Sequence, residues 1–336
     1  GYDRTSMKLP QCQDRLIEEV LKVQPNVVVV LHNGSPVELP WADRVSAILE
    51  MYLGGQGVGE ACGRLLFGEA NPSGRLAETF PYRLEDNPSF LHFPGNGKRV
   101  LYGEDIFVGY RYYDTKKVPV RYAFGHGLSY TEFTYGDLTL SSAQMTDEDI
   151  LTVSLKVKNS GKTEGKEVVQ LYVADLCGIS ERPVKELKGF AKVHLLPGEE
   201  KTVSMEISAR NLSYYEERLG DWYAPSGTYR ILIGHASDDI RLHADVVFET
   251  KKKLPLRVDF TTTFGELLDH TKTAPVITEL LAPLAAAAAS AEGMSDEYKK
   301  LGEQVIREMP LKSLLGQMPG EQVEQLIGQL NCLLAQ

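Results

Sequence analysis

The spacing of hydrophobic positions in the first part of the chain predicts alternating helices and strands. Leucine, isoleucine and valine recur at helical spacing within Gln13–Val23, and short apolar runs follow at Val27–Leu31 and Ala47–Leu53. A short β-branched run without alternation is typical of a strand that is buried on both faces. Together with the helical spacing of Gly59–Phe67, this order predicts an α/β sandwich with a mostly parallel sheet.

The next stretch, residues 83–132, has little periodicity and many glycines, prolines and aromatic residues. We interpret it as long ordered loops, which in a compact domain usually carry function or wrap a neighbouring domain. We therefore assign residues 1–132 to one α/β domain with long aromatic loops.

Strict alternation of apolar and polar residues begins in the region 133–249. Leu151–Val157 and Lys201–Ile207 alternate regularly, and turn residues such as Asn159–Gly161 and Pro197–Gly198 separate the runs. Several short strands over this length predict a β-sandwich of the fibronectin type III or immunoglobulin kind.

The last region, 250–336, returns to helical spacing. Four stretches carry leucine or isoleucine three and four residues apart: Phe264–His270, Val276–Ala289, Asp296–Met309 and Gly320–Leu334. Since a helical tail cannot bury its apolar stripe alone, we expect it to dock on its own chain or on a partner. The predicted fold class is multidomain: α/β, then all-β, then a helical C-terminal tail.

Composition narrows the function classes. The formal net charge of −10 disfavours a nucleic-acid partner, and no apolar run reaches the roughly 20 residues of a membrane span. The four cysteines lie far apart without CxxC spacing, and the seven histidines show no HExxH motif. We therefore expect no metal site, no cofactor and a reducing, cytoplasmic location, with a secreted or periplasmic one left open.

Three local features are candidates for chemistry or binding. The glycine cluster Gly54–Gly59 follows a strand and opens a helix, as a dinucleotide loop does, but it departs from GxGxxG and favours a plain turn. Adjacent acids Glu104 and Asp105 on a strand would point to opposite faces, which favours a structural role. The loop Asn33–Trp41 follows a parallel strand, where α/β sheets bind ligands, and is the best binding candidate.

Seven motifs together resemble the C-terminal half of family 3 glycoside hydrolases, the β-glucosidase group. They are LHNGSPVELPW at Leu31–Trp41, NPSGRL at Asn71–Leu76, GYRYYD at Gly109–Asp114, FGHGLSYT at Phe124–Thr131, VKNSG at Val157–Gly161, GKEVVQLY at Gly165–Tyr172 and RPVKELKGF at Arg182–Phe190. The resemblance covers residues 1 to about 250, and the helical tail is more weakly similar to extensions of some bacterial members.

The resemblance implies a layout of a barrel, an α/β sandwich and a fibronectin type III-like domain. It also implies retaining hydrolysis by an aspartate nucleophile on the barrel and a glutamate acid/base on the second domain, two carboxyls about 5–5.5 Å apart. Gly1–Arg4 (GYDR) matches the stretch that follows the acid/base in related members. We therefore expect the acid/base immediately before Gly1, no catalytic residue in this chain, and no hydrolysis by the chain alone.

What the chain would contribute is a frame for the active site of a barrel that lies outside it. The implied substrate is a β-glucoside or oligosaccharide with a terminal β-glucosyl residue, and the implied partners are the N-terminal barrel half and a second copy in a homodimer. Residues that could line a sugar subsite are Asp3, Arg4, Asn33, Trp41, Arg99, Tyr102, Glu104 and Arg111. The alternatives are a non-catalytic carbohydrate-binding or scaffolding protein and, from Gly54–Gly59 alone, a nucleotide-binding enzyme.

Overall fold

The computed structural model describes residues 4–178, 181–289 and 296–335. They separate into two compact units: Gly1–Tyr215 with Trp222–Lys252, and Glu216–Asp221 with Lys253–Gln336. The helices are α1 Gln11–Leu21, α2 Val58–Leu66, α3 Tyr110–Lys116, α4 Ala209–Leu212, α5 Phe264–Asp269, α6 Ala274–Ala289, α7 Asp296–Glu308 and α8 Gly320–Ala335. Short 3₁₀ helices lie at Gly55–Gly57, Leu84–Asp86 and Leu311–Gly316.

The strands of the first half are β1 Val28–Leu31, β2 Ala47–Glu50, β3 Phe80–Pro81, β4 Val120–Tyr122, β5 Phe133–Leu140, β6 Gln144–Thr146 and β7 Ile150–Asn159. Those of the second half are β8 Gly165–Asp175, β9 Glu186–Leu195, β10 Glu200–Ser208, β11 Tyr214–Glu216, β12 Asp221–Tyr223, β13 Gly227–Gly234 and β14 Ile240–Glu249.

The α/β part of the first unit is built on a parallel pair of strands. β1 and β2 run side by side, with Val28 opposite Ala47 and Leu31 opposite Glu50. The prediction of a strand buried on both faces is wrong for Val27–Leu31: Val28 is 51% exposed, and within β1 only Leu31 is buried. The physical reason is that the described residues add no third strand to this sheet, and neither α1 nor α2 buries a residue.

The remainder of the α/β part packs around loops. The last residue of β1, the loop that follows it and Phe80 of β3 form a small core. Its buried members are Leu31, Val37, Leu39, Trp41, Ala42 and Phe80. β3 pairs antiparallel with β4, so that Phe80 lies opposite Tyr122, and the two rings meet edge to face. The predicted glycine turn after β2 becomes the 3₁₀ helix Gly55–Gly57, which leads directly into α2.

The sandwich predicted from alternation is present in the same unit. One sheet has the order β10-β7-β5 and the other β6-β14-β13-β8-β9, with antiparallel pairing except between β6 and β14. Along β7 the apolar residues Leu151, Val153, Leu155 and Val157 are almost fully buried, as period-two alternation requires. They form the core with buried residues of both sheets.

The second unit contains the helices α5 to α8. Their apolar residues pack on one another around Phe264, Leu267, Ile277, Leu311 and Leu330. Several helices and the Leu311–Gly316 turn together supply a common core within this unit. The expectation that the tail docks on its own chain or on a partner stays a prediction. None of the helices in the described ranges is long and apolar enough to cross a membrane.

Candidate functional site

A cavity of about 840 Å³ lies in the α/β part of the first unit. Its volume is within the range of ligand sites for small molecules. Five stretches of chain form its wall: Arg4, Thr5, Ser6 and Met7; Ser35 and Pro36; Glu78, Thr79 and Pro81; Leu84, Asn87, Pro88, Ser89, Phe90, Phe93 and Pro94; Glu104, Val108, Gly109 and Tyr113.

The N-terminal stretch is held on the loop that follows β1. The Arg4 guanidinium donates to the Pro36 carbonyl at 2.9 Å, and the Glu38 amide donates to the Met7 carbonyl at 2.9 Å. The Glu38 carboxylate also accepts a hydrogen bond from the Leu84 amide at 3.3 Å. One loop therefore fixes two separate stretches of the wall.

The long aromatic loop is ordered by its own polar side chains. Asn87 Oδ1 accepts hydrogen bonds from the Ser89 amide at 3.0 Å and the Ser89 hydroxyl at 2.7 Å. Gly95 has a φ of +90°, and a Cβ there would collide with the Arg99 carbonyl oxygen, so this turn requires glycine. The turn folds the loop back and leaves Phe90 and Phe93, 42% and 48% exposed, at the cavity.

Two buried polar atoms on this wall have no hydrogen-bond partner among the described residues. They are Thr79 Oγ1 and Glu104 Oε2, and the Thr79 residue is only 5% exposed. An unsatisfied buried polar atom costs about 1–3 kcal/mol, so natural proteins rarely keep one without a ligand, an ion or a water that completes it. Both atoms belong to residues of the cavity wall.

Two carboxyl groups, Glu78 on the cavity wall and Glu50 at the end of β2, have raised pKa values. Burial raises the pKa of Glu78; the neighbouring charge of Glu50 raises it further, and the Arg4 guanidinium opposes the shift. Burial also raises the pKa of Glu50 at the end of β2. A carboxyl with a raised pKa is more readily protonated and can then donate a hydrogen bond, which an ionised one cannot.

The structure brings together only part of the residue set predicted from the sequence. Arg4 and Glu104 both line the cavity. Asn33 lies directly behind the wall residue Ser35: its Nδ2 donates to the Ser35 carbonyl at 3.0 Å, and its Oδ1 is buried without a partner among the described residues. Asp3 lies outside the described residues.

The structure does not place the other four predicted residues on the wall. Trp41 is completely buried, and its indole N–H donates to Asp14 Oδ1 at 2.8 Å, so it is a core residue and the prediction of a sugar contact there is wrong. Arg111 pairs with Glu186 at 3.2 Å. Arg99 and Tyr102 are exposed and are not among the wall residues; Tyr102 is 80% exposed.

Sequence reasoning missed Glu78, Thr79, Asn87 and Ser89 as wall residues. The available signal was the location of the last two in the long loop 83–132, which was interpreted as functional. Nothing local marks Glu78 and Thr79, which lie directly before the two-residue strand β3. Among the described residues, no group of three or more His, Cys, Asp or Glu side chains could hold a metal ion.

Comparison with known proteins identifies two domains in the chain. Residues 1–130 match the glycosyl hydrolase family 3 C-terminal domain, and residues 167–237 match the fibronectin type III-like domain. Residues 1–130 therefore belong to glycosyl hydrolase family 3, as its C-terminal domain. The cavity lies within the part that matches the first of these domains.

Named relatives of this chain are β-glucosidases. The thermostable β-glucosidase B of Acetivibrio thermocellus is 47% identical over 335 residues, which is 98% of this chain and 44% of that protein. The crystal structure of the Bifidobacterium adolescentis GH3 β-glucosidase has a TM-score of 0.75 and 38% identity, over 82% of this chain and 40% of that one. The Kluyveromyces marxianus β-glucosidase in complex with glucose has a TM-score of 0.70 and 44% identity, over 74% and 30%. The chain thus spans less than half the length of these relatives.

Proposed function

We propose that this chain is the C-terminal portion of a retaining β-glucosidase-like hydrolase and forms the leaving-group side of its active site. The observation that carries the proposal is the cavity with its two unpartnered polar atoms, Thr79 Oγ1 and Glu104 Oε2. The relatives named β-glucosidase support the reaction, and the match of Gly1–Arg4 to the stretch after the acid/base would put that group beside the Arg4 end of the wall.

In this proposal the two catalytic carboxyls belong to residues outside the chain, and the chain binds and orients the sugar that leaves. Retaining hydrolysis needs a nucleophile and an acid/base about 5–5.5 Å apart, and the acid protonates the leaving oxygen. Thr79 and Glu104 would hydrogen-bond the leaving hydroxyls. Phe90 and Phe93 would cover the apolar C–H face of the ring, since aromatic side chains are suited to such contacts.

The partner in this proposal is the N-terminal barrel half of a longer protein. Large apolar side chains of the α/β part are exposed, including Leu16 at 64%, Leu53 at 79% and Phe67 at 85%. Apolar surface of this kind usually marks an interaction site. We propose that the N-terminal half covers it.

The test compares the chain alone with the chain joined to its N-terminal half, with an aryl β-glucoside and cellobiose as substrates. We expect no turnover by the chain alone and turnover by the joined protein. In the joined protein, Thr79→Val should raise the KM for cellobiose roughly 5- to 30-fold, which corresponds to about 1–2 kcal/mol of lost hydrogen bonding. Thr134→Val, at an exposed position of β5, is the matched control and should leave the KM unchanged.

Two outcomes would contradict the proposal. Turnover by the chain alone would mean that it contains catalytic acids. Binding of cellobiose by the chain alone, with no activity in the joined protein, would favour the carbohydrate-binding alternative.

We further propose a cytoplasmic location. Cys12, Cys62, Cys177 and Cys332 are all free, and unpaired cysteines are typical of a reducing compartment. Cell fractionation with an antibody against the chain tests this, and recovery outside the cytoplasm would contradict it.

We also propose that the protein is a homodimer. The support for a dimer is an apolar pair on α7, Leu301 and Val305, which are 55% and 54% exposed. Replacing both with glutamate should lower the sedimentation coefficient to that of a monomer.

We further propose the domain division 1–132, 133–249 and 250–336. Limited proteolysis that cuts within rather than between these three regions would contradict the division.

A further inference from the structure

A buried cluster of charges joins the α/β part to the sandwich within the first unit. At its centre is Glu167 of β8, whose side chain is completely inaccessible. One carboxylate oxygen, Oε2, accepts from the Arg75 guanidinium at 2.9 Å. The other, Oε1, accepts from the Tyr135 hydroxyl at 2.8 Å and lies 2.7 Å from Nδ1 of His235.

Both ring nitrogens of His235 face hydrogen-bond acceptors. Nδ1 faces Glu167 Oε1, and Nε2 lies 2.9 Å from the carbonyl oxygen of Gly127. A carbonyl oxygen accepts only, and an ionised carboxylate accepts only, whereas a neutral imidazole has a single N–H. Two such acceptors therefore require two N–H groups on the ring, that is, an imidazolium.

Glu167 is the ionised partner that this geometry needs. Burial by itself raises the pKa of Glu167, but hydrogen bonds from His235 and Tyr135 and the positive charge of Arg75 hold its pKa below the usual value. Its three donors occupy both carboxylate oxygens, so that the buried charge is fully hydrogen-bonded.

The cluster lies at the root of the cavity wall. The Leu76 amide donates to the His126 carbonyl at 2.9 Å, and the Gly125 amide donates to the Leu76 carbonyl at 2.8 Å. These two backbone hydrogen bonds join the segment around Leu76 to the segment around His126. The first segment reaches the cluster through Arg75, and the second reaches it through Gly127. The first segment continues directly into the wall residues Glu78 and Thr79.

We propose that His235 is kept as an imidazolium in the folded protein and acts as a positioning residue for the Glu78–Thr79 wall. The imidazolium contacts Glu167 of the sandwich on one side and the Gly127 carbonyl of the α/β part on the other, so it links the two parts. The assignment concerns how the wall is held and does not depend on which ligand the cavity takes.

Other charged groups face the cluster from the neighbouring elements. Asp239 lies in the turn after β13, where its backbone carbonyl accepts a hydrogen bond from the His235 amide at 2.9 Å. The Asp239 carboxylate pairs with Arg241 at 2.9 Å. Arg241 in turn lies 5.0 Å from the ring centre of Tyr135, and Asp238 and His126 are further titratable groups nearby. Burial lowers the pKa of His126, which favours the neutral form of that ring.

The direct test is the protonation state of the ring in the full chain, measured by ¹⁵N NMR of histidine-labelled protein at pH 7, with His235→Gln to identify the signal. We expect both nitrogens to carry protons in the wild type and only one in Glu167→Gln, which removes the negative partner. A singly protonated ring in the wild type would overturn the proposal, and so would a ring that is unchanged in Glu167→Gln.

The positioning role is tested by amide hydrogen exchange of Leu76 and Gly125. Hydrogen bonds to charged groups contribute about 1.5–3 kcal/mol, so exchange at these two amides should be roughly 10- to 100-fold faster in His235→Gln. Amides of β7 should be unaffected, and His243→Gln, at an exposed position of β14, is the matched control. Equal exchange in the two variants would overturn the positioning role. Should His235→Gln fail to fold, the wild-type signal is assigned by through-bond correlation to the His235 backbone, and the NMR measurement still decides the charge.

Discussion

Single polar contacts fix the positions of large side chains in the α/β part. The Trp41 ring is completely buried, and its N–H donates to Asp14 of α1, a residue 27 positions earlier in the chain. Together with Ile17, which packs against this core, the bond attaches α1 to the core around Trp41, although α1 has no fully buried residue. A tryptophan in such a position serves packing, since its large apolar ring dominates core energetics once its N–H has a partner.

Replacement of Trp41 by phenylalanine should therefore destabilise the chain. Phe keeps most of the apolar ring but leaves the Asp14 carboxylate without its donor, which costs about 1–3 kcal/mol. Urea denaturation followed by circular dichroism measures the effect. The control is Asp14→Asn, which keeps a side-chain oxygen as acceptor and should cost less. Equal stability of Trp41→Phe and the wild type would contradict the importance of the bond.

At the scale of one element, β8 carries two roles at once. Its residues from Val169 to Val173 are all buried, because one face covers the sandwich core and the other packs on the α/β part. The second face is polar and satisfied: Gln170 Nε2 donates to the Gly125 carbonyl at 3.1 Å, and Tyr172 donates to Gln170 Oε1 at 2.6 Å. By strand alternation Glu167 lies on the opposite face, in line with Val169 and Leu171 of the sandwich core.

The lowered pKa of Glu167 makes β8 acid-sensitive. A carboxyl whose pKa is lower in the folded than in the unfolded chain adds stability above the unfolded pKa, roughly 4.3, and loses it as the pH falls toward the folded pKa. The stability advantage of the wild type over Glu167→Gln should therefore be full at pH 6 and shrink steadily below about pH 4.3. Denaturation midpoints between pH 6 and pH 3 measure it.

Glu206→Gln, at an exposed position of β10, is the control for general effects of a lost carboxylate. Its difference from the wild type should be small at every pH. An advantage over Glu167→Gln that stays constant with pH would contradict the assigned shift.

On the scale of the whole molecule, the chain consists of two units that each have a core. The sandwich core involves both sheets of the first unit, and the helical core involves α5, α6, α8 and the Leu311–Gly316 turn. The α/β part, in contrast, has a small core and exposed apolar side chains. Separate cores predict that a defect in one need not spread to the other.

Leu330→Ala tests this separation. Leu330 is completely buried in the helical core, so its truncation should cost about 2–5 kcal/mol in that unit. Hydrogen exchange should rise for α8 and remain unchanged for β7 and β8. Leu315→Ala, at a position that is 49% exposed, is the matched control and should have little effect on either unit.

The sequence alone determined the strands of the sandwich, the helices of the C-terminal region and the family, but not α3 at Tyr110–Lys116, which lies in the stretch interpreted as loops. Alternation along β7 and helical spacing along α8 reflect residues a few positions apart, and such local periodicity is readable without a structure. The motifs from Leu31–Trp41 to Arg182–Phe190 indicated the family for the same reason, since each is a continuous stretch.

Tertiary structure alone decided which of these residues meet. Arg4 and Glu104 share a cavity although a hundred positions separate them, and Arg75 reaches Glu167 across 92 positions. It also decided that Trp41 is buried while Thr79 and Glu104 keep unpartnered atoms at the cavity. The physical reason is that convergence and burial depend on the path of the whole chain, whereas propensity and periodicity depend on neighbours in sequence.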